Sequence, residues 1–522
     1  MAKRPNIILI MVDDMGFSDI GCYGAEIRTP HLDRLAANGV RFTQFYNCAR
    51  CCPTRASLLT GLYPHQAGIG YMEPGNRYNK ALLEKLNPPQ YQGALNRECV
   101  TIAEALGAAG YQTFMSGKWH VGSAEGQRPM DRGFQRYYGI VGGACHYWKP
   151  ERWKGALLMD HRAHVATTPP DFYITDALSQ NAARFIAEAE HDRPFFLYLA
   201  YNAPHWPLHA WPEDIARYKD AYRDGWDALR EQRLARQKEL GLFGQDLPLS
   251  PRDAESYPWE KADQADMAHR MAVYAAMVDR MDQGVGQVLA ALENAGQAQN
   301  TLILFLSDNG ACAEPFGKDN KAPAGPADSM TGYFLPWANA SNTPFRLFKH
   351  WTHEGGIATP LIAHWPDAIP RGRWNRRQIG HVKDLMATCL DAAGAPYPET
   401  FAGHAIQPLE GRSLLHAMLD PASARNETIF WEHEGNRALR DGRWKLVCYY
   451  NEIHEEMQKV GTGPRTGAWE LYDLDADRCE LHDLAGVHTD RAAHMVAQHQ
   501  AWEKRLGILN WEDALACGGF HV

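Results

Sequence analysis

Short, almost wholly apolar runs alternate along the chain with longer stretches in which apolar residues return every three or four positions. Residues 6–12 (Asn-Ile-Ile-Leu-Ile-Met-Val), 194–200 and 301–306 are runs of the first kind. A strand that is apolar on both sides is covered on both faces, so these runs predict central strands of a parallel or mixed sheet. Residues 40–46, 112–115 and 359–364 are read as further strands. Between them lie helices. One follows Pro30 and stops at Gly39, and Thr101-Ile102-Ala103-Glu104 is a capping box that opens another, ending near Gly110. Residues 268–294 bring Met271, Tyr274, Met277 and Val278 onto one face, which predicts a long helix buried along that face. A further helix begins in 382–388 and closes near Gly394. The recurring strand–helix order predicts an α/β fold, a sandwich built on a large mixed, mostly parallel sheet with helices on both faces.

Beyond residue 405 the pattern changes. Residues 428–431, 444–450 and 469–474 alternate over short spans between turn residues, which predicts a small antiparallel sheet. A last helix over about 490–506 has Gly507 as its stop. The expected division is therefore a large N-terminal domain over 1–405 and a small C-terminal α+β subdomain over 406–522. Residues 213–261 are dense in charge at helical spacing and read as a solvated helical insertion. Residues 311–343, rich in Gly, Pro and Asn, are too long for a plain connection and read as a pocket wall.

Composition narrows the class. With 522 residues, 45% hydrophobic and 22% charged, the chain is an ordinary globular protein. A net charge of −9 argues against nucleic acid as a partner. The 11 cysteines include no paired Cys-x-x-Cys spacing of a zinc site, and most are scattered singly, as reduced packing cysteines are. No apolar stretch reaches the length of a membrane span, so no membrane partner is expected. The first apolar run ends at Asp13, too soon for a secretory signal. As written the chain reads as cytoplasmic, and as periplasmic or secreted only if a leader has been removed. Nothing in the sequence specifies an oligomeric state.

Chemistry collects at the predicted strand ends, where open α/β sheets place their ligands. Asp13-Asp14 follow the first strand, Lys118 and His120 another, His205 stands in a proline-flanked loop after a third, and Asp308-Asn309 close a fourth. Lys349 stands ahead of Glu354-Gly355-Gly356. Asp and Asn offer hard oxygen donors, which suit calcium or magnesium better than zinc. Separately, each of these groups is also what a solvated turn or an exposed strand end contains. Cys51-Cys52-Pro53-Thr54-Arg55 is the more specific feature. Pro53 suits the first turn of a helix. Cys51 is thereby placed at the N-terminus, where free N–H groups and the helix dipole stabilise negative charge. Arg55 lies one turn on, on the same face.

This stretch, continued to Thr60-Gly61, holds every fixed position of Cys-x-Pro-x-Arg-x-x-x-x-Thr-Gly, and Gly117-Lys118-x-His120 matches a second motif. The chain resembles the type I, formylglycine-dependent sulfatases, arylsulfatase-like members of the alkaline phosphatase superfamily. The resemblance implies an alkaline-phosphatase-like αβα sandwich with a small C-terminal subdomain. It implies that a formylglycine-generating enzyme oxidises Cys51 to formylglycine, whose hydrate is the nucleophile. Asp13, Asp14, Asp308, Asn309 and the modified residue 51 would hold a divalent cation, Ca2+ first and Mg2+ second. Arg55, Lys118 and Lys349 would surround the sulfate. His205, rather than the nearby His209, would protonate the leaving oxygen together with Lys349, and His120 would take a proton from the hydrate. The implied reaction is hydrolysis of a sulfate monoester, small-molecule or carbohydrate, to an alcohol or phenol and sulfate. A phosphodiesterase or phosphonate monoester hydrolase on the same scaffold is the alternative. Near Gly142 to His146 the polar residue that some members use to touch sulfate has no counterpart. Residues 432–437 form either a satisfied surface turn or a wall from which His433 or Arg437 reads the rest of the substrate. Trp148, Trp206 and Trp337 offer aromatic faces to a sugar.

Overall fold

The computed structural model describes residues 4–72, 88–152, 157–160, 162–163, 168–320, 322–450 and 467–511. Among the described residues, twelve strands precede the C-terminal region: β1 (Asn6–Val12), β2 (Val40–Phe42), β3 (Phe45–Tyr46), β4 (Gln112–Lys118), β5 (Arg136–Ile140), β6 (Leu158–Met159), β7 (Arg162–Ala163), β8 (Phe195–Ala200), β9 (Thr301–Ser307), β10 (Leu361–His364), β11 (Arg373–Asn375) and β12 (Gly380–His381). Ten form one sheet in the order β11-β2-β10-β9-β1-β8-β4-β5-β6-β7. β1 lies near its centre, parallel to β8 and β9, and β4 runs parallel to β8 and β5. β10 is antiparallel to both of its neighbours.

Burial on both faces explains the unbroken apolar runs. In β1, Ile8, Ile10 and Val12 enter one core, with Met271, Tyr274 and Val278 of the Gln264–Asn294 helix. Ile7, Leu9 and Met11 enter the other, with Leu58 of the Cys51–Thr60 helix and Leu385 of the Asp384–Ala393 helix. Successive side chains of a strand point to opposite faces, so one heptapeptide supplies two cores. The parallel register then determines where the chemistry stands. Val12 pairs with Ser307, and the Asp308 amide donates to the Val12 carbonyl at 3.0 Å. The carboxyl ends of β1, β4, β8 and β9 therefore open at one edge of the sheet. β4 and β8 approach closely there: at Gly117, with φ +131°, a Cβ would lie 1.8 Å from the Ala200 carbonyl oxygen.

After the β13 (Thr400–Phe401) and β14 (His404–Ala405) hairpin, a second sheet forms from β15 (Thr428–His433), β16 (Asn436–Asp441), β17 (Trp444–Cys448) and β18 (Trp469–Asp473), all antiparallel. Met495 of the Thr489–Leu506 helix packs on its Leu439, Leu446 and Leu471. The sequence pattern misses β16. Its polar residues are internal: Arg440 is buried and bonded to the Tyr46 hydroxyl and the Gln44 side chain.

Three other expectations need correcting. Residues 40–46 are not one strand: β2 joins the large sheet, and β3 pairs with β12 in a separate one. Residues 213–261 are not a solvated insertion. Their Gly225–Glu239 helix buries Trp226, Leu229, Arg233 and Gln237, and Arg233 bonds Asp19 at 2.5 Å and Glu26 at 2.9 Å. Charge density marks exposure only when the charges lack internal partners. Residues 311–343 are not loop throughout, though Glu314 within them does stand beside Arg50 and Lys349: they contain the Phe334–Ser341 helix, and its Trp337 is a core residue that donates to the Met267 carbonyl at 2.8 Å. Trp337 therefore presents no face to a ligand. Among the described residues no helix is long and apolar enough to cross a membrane, and ten cysteines are buried and free of disulfides.

Candidate active site

Cys51 is the first residue of the Cys51–Thr60 helix, as Pro53 predicts, and the αL cap is Gly61. Its thiol is fully buried, with Lys118 and His120 in electrostatic range. A hydrogen bond from Cys52, then Lys118 and His120, outweigh burial and hold the Cys51 thiol well below its ordinary value. Arg55 reaches across rather than back: it donates to Asp308 Oδ2 at 2.7 Å, to the Lys118 carbonyl at 3.0 Å and to the Tyr198 hydroxyl at 3.4 Å. Its fork ties the ends of β9, β4 and β8 to the helix bearing position 51.

The acids follow the strand ends. Lys118 Nζ donates to Asp13 Oδ2 at 2.5 Å. Asp14, in the left-handed region at φ +64°, accepts from Lys349 Nζ at 2.9 Å and from Asn309 Nδ2 at 2.7 Å. Asp308 Oδ1 accepts from the Asp14 amide at 3.2 Å. Burial alone would raise the Asp14 carboxyl, but Lys349 and His205 overcome it and hold it below the usual carboxylate range. At Asp308 burial and the neighbouring Asp13 prevail, and its carboxyl rises despite Arg55 and Lys118. Asp13 Oδ1 and Asn309 Oδ1 are buried and accept no hydrogen bond from the described residues. Such oxygens are costly unless a cation or donor meets them. Ligand atoms of Asp13, Asp14 and His205 lie within 4.8 Å of one another. The donor set is dominated by oxygen, and it fits a hard divalent cation.

The two histidines approach from separate loops. His120 follows β4, its amide bonded to the Val141 carbonyl at 3.1 Å. At φ +57° it is not extended, so strand alternation does not place it on the face of Lys118. A Cβ on Gly143 would lie 2.6 Å from two of its ring atoms. The stretch around Gly142 thus packs against His120. Burial pushes the His120 imidazole down to about 4, against the pull of Cys51. His205 donates Nδ1–H to the Trp206 carbonyl at 2.7 Å, and its Nε2 faces Asp14 Oδ2 at 3.4 Å. His209 turns away, to the Ser329 carbonyl at 2.6 Å. Lys349 is pinned through its amide to Ala311, and His350 to Ala49, at 3.0 and 2.8 Å.

A sulfatase family profile matches residues 5–395, and one for the C-terminal region of N-sulphoglucosamine sulphohydrolase matches residues 345–505. The chain belongs to the sulfatase family. An uncharacterised sulfatase of Schizosaccharomyces pombe is 33% identical, covering 98% of this chain and 96% of its own. The arylsulfatase of Klebsiella aerogenes is 34% identical over 81% of this chain and 94% of its own. The crystal structure of Ps i-CgsB in complex with k-i-k-neocarrahexaose superposes with a TM-score of 0.66 at 28% identity, covering 96% and 93% of the two chains. A phosphonate monoester hydrolase of Agrobacterium radiobacter, at 21% identity and a TM-score of 0.57, shares the fold. The chain is thus a sulfuric ester hydrolase of a family characterised by a divalent cation and formylglycine.

In this sulfatase Asp13, Asp14, Arg55, Lys118, His120, His205, Asp308, Asn309 and Lys349 join Cys51 in one connected cluster, whereas His209, Trp337 and Arg437 lie outside it, and several residues that escaped notice stand beside it. Arg50, the N-cap of the Cys51–Thr60 helix, pairs with Glu314 at 3.0 Å. Glu314 accepts from Trp206 Nε1 at 2.8 Å and lies 3.8 Å from Lys349. No motif marks Glu314, which stands alone in an irregular loop. The 432–437 segment is buried rather than a surface turn: His433 and Glu434 are 1% and 5% exposed. Arg437 instead pairs with Glu503 at 2.9 Å.

Proposed function

We propose that the sulfatase hydrolyses its ester at position 51, with Asp13, Asp14, Asp308, Asn309 and residue 51 holding a divalent cation, Ca2+ foremost and Mg2+ second. Formylglycine at 51 supplies, as its hydrate, an oxygen nucleophile, and the cation supplies charge that favours its ionised form. Arg55 and Lys118, already bonded to Asp308 and Asp13, keep a basic flank beside the sulfate. Counting the dication, Arg55, Lys118 and Lys349 against three carboxylates leaves a surplus of roughly two positive charges for the anionic ester. Lys349 stays protonated next to Asp14 and, with His205, gives a proton to the departing oxygen; His205 presents Nε2 because Nδ1 is engaged by Trp206. His120, neutral at pH 7 because of its burial, is the proton acceptor beside residue 51. The observation that carries this reading is Arg55 bridging Asp308 and the Lys118 carbonyl from one turn after Cys51.

A formylglycine-generating enzyme is the proposed maturation partner, a small-molecule or carbohydrate sulfate ester the proposed substrate, and 1–405 and 406–522 the proposed division into catalytic domain and C-terminal subdomain. The change from the parallel to the antiparallel sheet supports that division. The test is direct. After coexpression with the oxidising enzyme, peptide mass analysis should place a loss of about 18 Da on Cys51 and not Cys52. Cys51→Ala should lose turnover of 4-nitrophenyl sulfate by at least about 10⁴-fold with an unchanged circular dichroism spectrum. Parental turnover by that variant would end the assignment, and faster turnover of an aryl phosphate diester than of the sulfate would favour the phosphodiesterase alternative.

A further inference from the structure

Between the buried charges and the solvent lies a second group of polar side chains that the proposed chemistry does not use. Arg50 and Glu314 keep 14% of their side chains exposed, whereas Arg55, Asp13 and Lys118 keep none. Glu314 is backed by Trp206, whose ring stacks on Phe316 with centroids 3.9 Å apart and planes at 13°. Opposite stands the turn between β15 and β16. Glu434 Oε1 accepts from the Met72 amide at 3.4 Å, and its Oε2 lies 3.7 Å from His350 Nδ1 and 3.8 Å from His433 Nε2. The two sides face each other electrostatically: Arg50 is within reach of residue 51, Glu314 and Glu434, and His433 within reach of Arg50.

Two imidazoles and a carboxylate at this spacing invite reading as a metal site, and the hydrogen bonds argue against it. The Tyr450 amide donates to Asn436 Oδ1 at 3.1 Å, which turns Asn436 Nδ2 toward His350 Nε2 at 3.2 Å. His350 Nε2 is therefore an acceptor, its proton sits on Nδ1, and the atom nearest Glu434 has no lone pair to give a cation. His350 Nδ1–H instead faces the Glu434 carboxylate at 3.7 Å.

What remains calls for a hydroxylated partner. Arg50 Nε and Nη1 and both ring nitrogens of His433 are buried without a hydrogen-bond partner among the described residues. A phenyl or steroid ring placed against them would leave every one of them unpaired. A second anionic group would meet the Glu314 and Glu434 carboxylates beside Arg50. Hydroxyl groups serve both needs, since they accept from Arg50 and donate to a carboxylate or an imidazole. Resting on the sulfatase chemistry proposed above, we infer that Arg50, His433 and Glu434 read the alcohol portion of the ester, and that this alcohol is a neutral sugar carrying no second anionic group beside the scissile sulfate.

The test uses the mature full-length enzyme with neutral hexose monosulfates sulfated at each hydroxyl in turn, 4-nitrophenyl sulfate, and glucosamine 2-N,6-O-disulfate. The best hexose monosulfate should exceed both others in kcat/KM by at least about tenfold. His433→Ala should cut its margin over 4-nitrophenyl sulfate by about tenfold, and Glu434→Gln, which keeps shape and removes charge, should narrow the margin over the disulfated sugar by a similar factor. A wild-type preference for the aryl or the disulfated ester overturns the inference. So does an equal loss on all three substrates in both variants, which is the mark of a merely structural role. Calorimetry on Cys51→Ala separates the two readings. If the mature wild-type enzyme turns over none of the three esters but Cys51→Ala still binds a hexose monosulfate at least about tenfold tighter than 4-nitrophenyl sulfate, the catalytic assignment fails and the reading site stands. If all three esters are hydrolysed without preference, the reading site alone fails.

Discussion

Gly143 shows how little room a single residue leaves around the proton acceptor. Its backbone is not left-handed, so alanine is permitted there by conformation and excluded only by the His120 ring 2.6 Å from the added carbon. Gly143→Ala should therefore displace the imidazole and lower kcat by about 10²-fold, with little change in melting temperature. A parental kcat in steady-state assays would show that His120 position does not limit the reaction. Arg55 makes a complementary case. Lysine keeps the charge but cannot bridge Asp308 Oδ2 and the Lys118 carbonyl at once. Arg55→Lys should cost at least about tenfold in kcat/KM for 4-nitrophenyl sulfate, and equal activity would reduce the role of Arg55 to bulk charge.

Among the elements, the link between the second sheet and the catalytic edge is ionic and buried. Lys445 of β17 lies 2.9 Å from Glu354 and 2.7 Å from Glu480, both wholly buried. Arg478 and the Tyr46 hydroxyl also bond Glu354, whose amide donates to Glu480 at 2.8 Å. Glu354 opens the short Glu354–Ile357 helix, next to the segment that carries Lys349. Removing one partner from such a group strands a buried charge, so Lys445→Met should destabilise by about 3–5 kcal/mol. Differential scanning calorimetry should record a fall in Tm of about 3–5 °C. A loss within about 1 °C would mean that packing, not this pairing, holds the sheet in place.

For the whole molecule, the cation and the fold should stabilise one another, because Asp13, Asp14 and Asp308 come from strands joined only by the tertiary structure. A ligand at a hundredfold excess over its Kd adds about 2.7 kcal/mol to the folded state. Chelation with EDTA should thus lower Tm by several degrees and abolish turnover, and excess Ca2+ should restore both. Restoration by Mg2+ alone would reverse the proposed preference, and an enzyme indifferent to chelation in both Tm and rate would remove the cation from the reading.

The chain alone determined the central strands and their covering helices, because burial on both faces leaves unbroken apolar runs such as Ile7 to Val12. It also determined the neighbourhood of Cys51, since the proline, arginine and glycine that shape that helix lie within eleven residues of one another. Where a polar residue is buried by a partner far away, the local pattern was silent or misleading: β16 was missed for its polar residues, the Gly225–Glu239 helix was taken as solvated because the partners of Arg233 are Asp19 and Glu26, and Trp337 looked available although it fills the core. Arg50, Glu314, His433 and Glu434 belong to the same class. Their juxtaposition is made by strand order and by the contacts of the second sheet with the main domain, and only the tertiary structure decided it, because periodicity reports which way a side chain points but not what arrives from the other side.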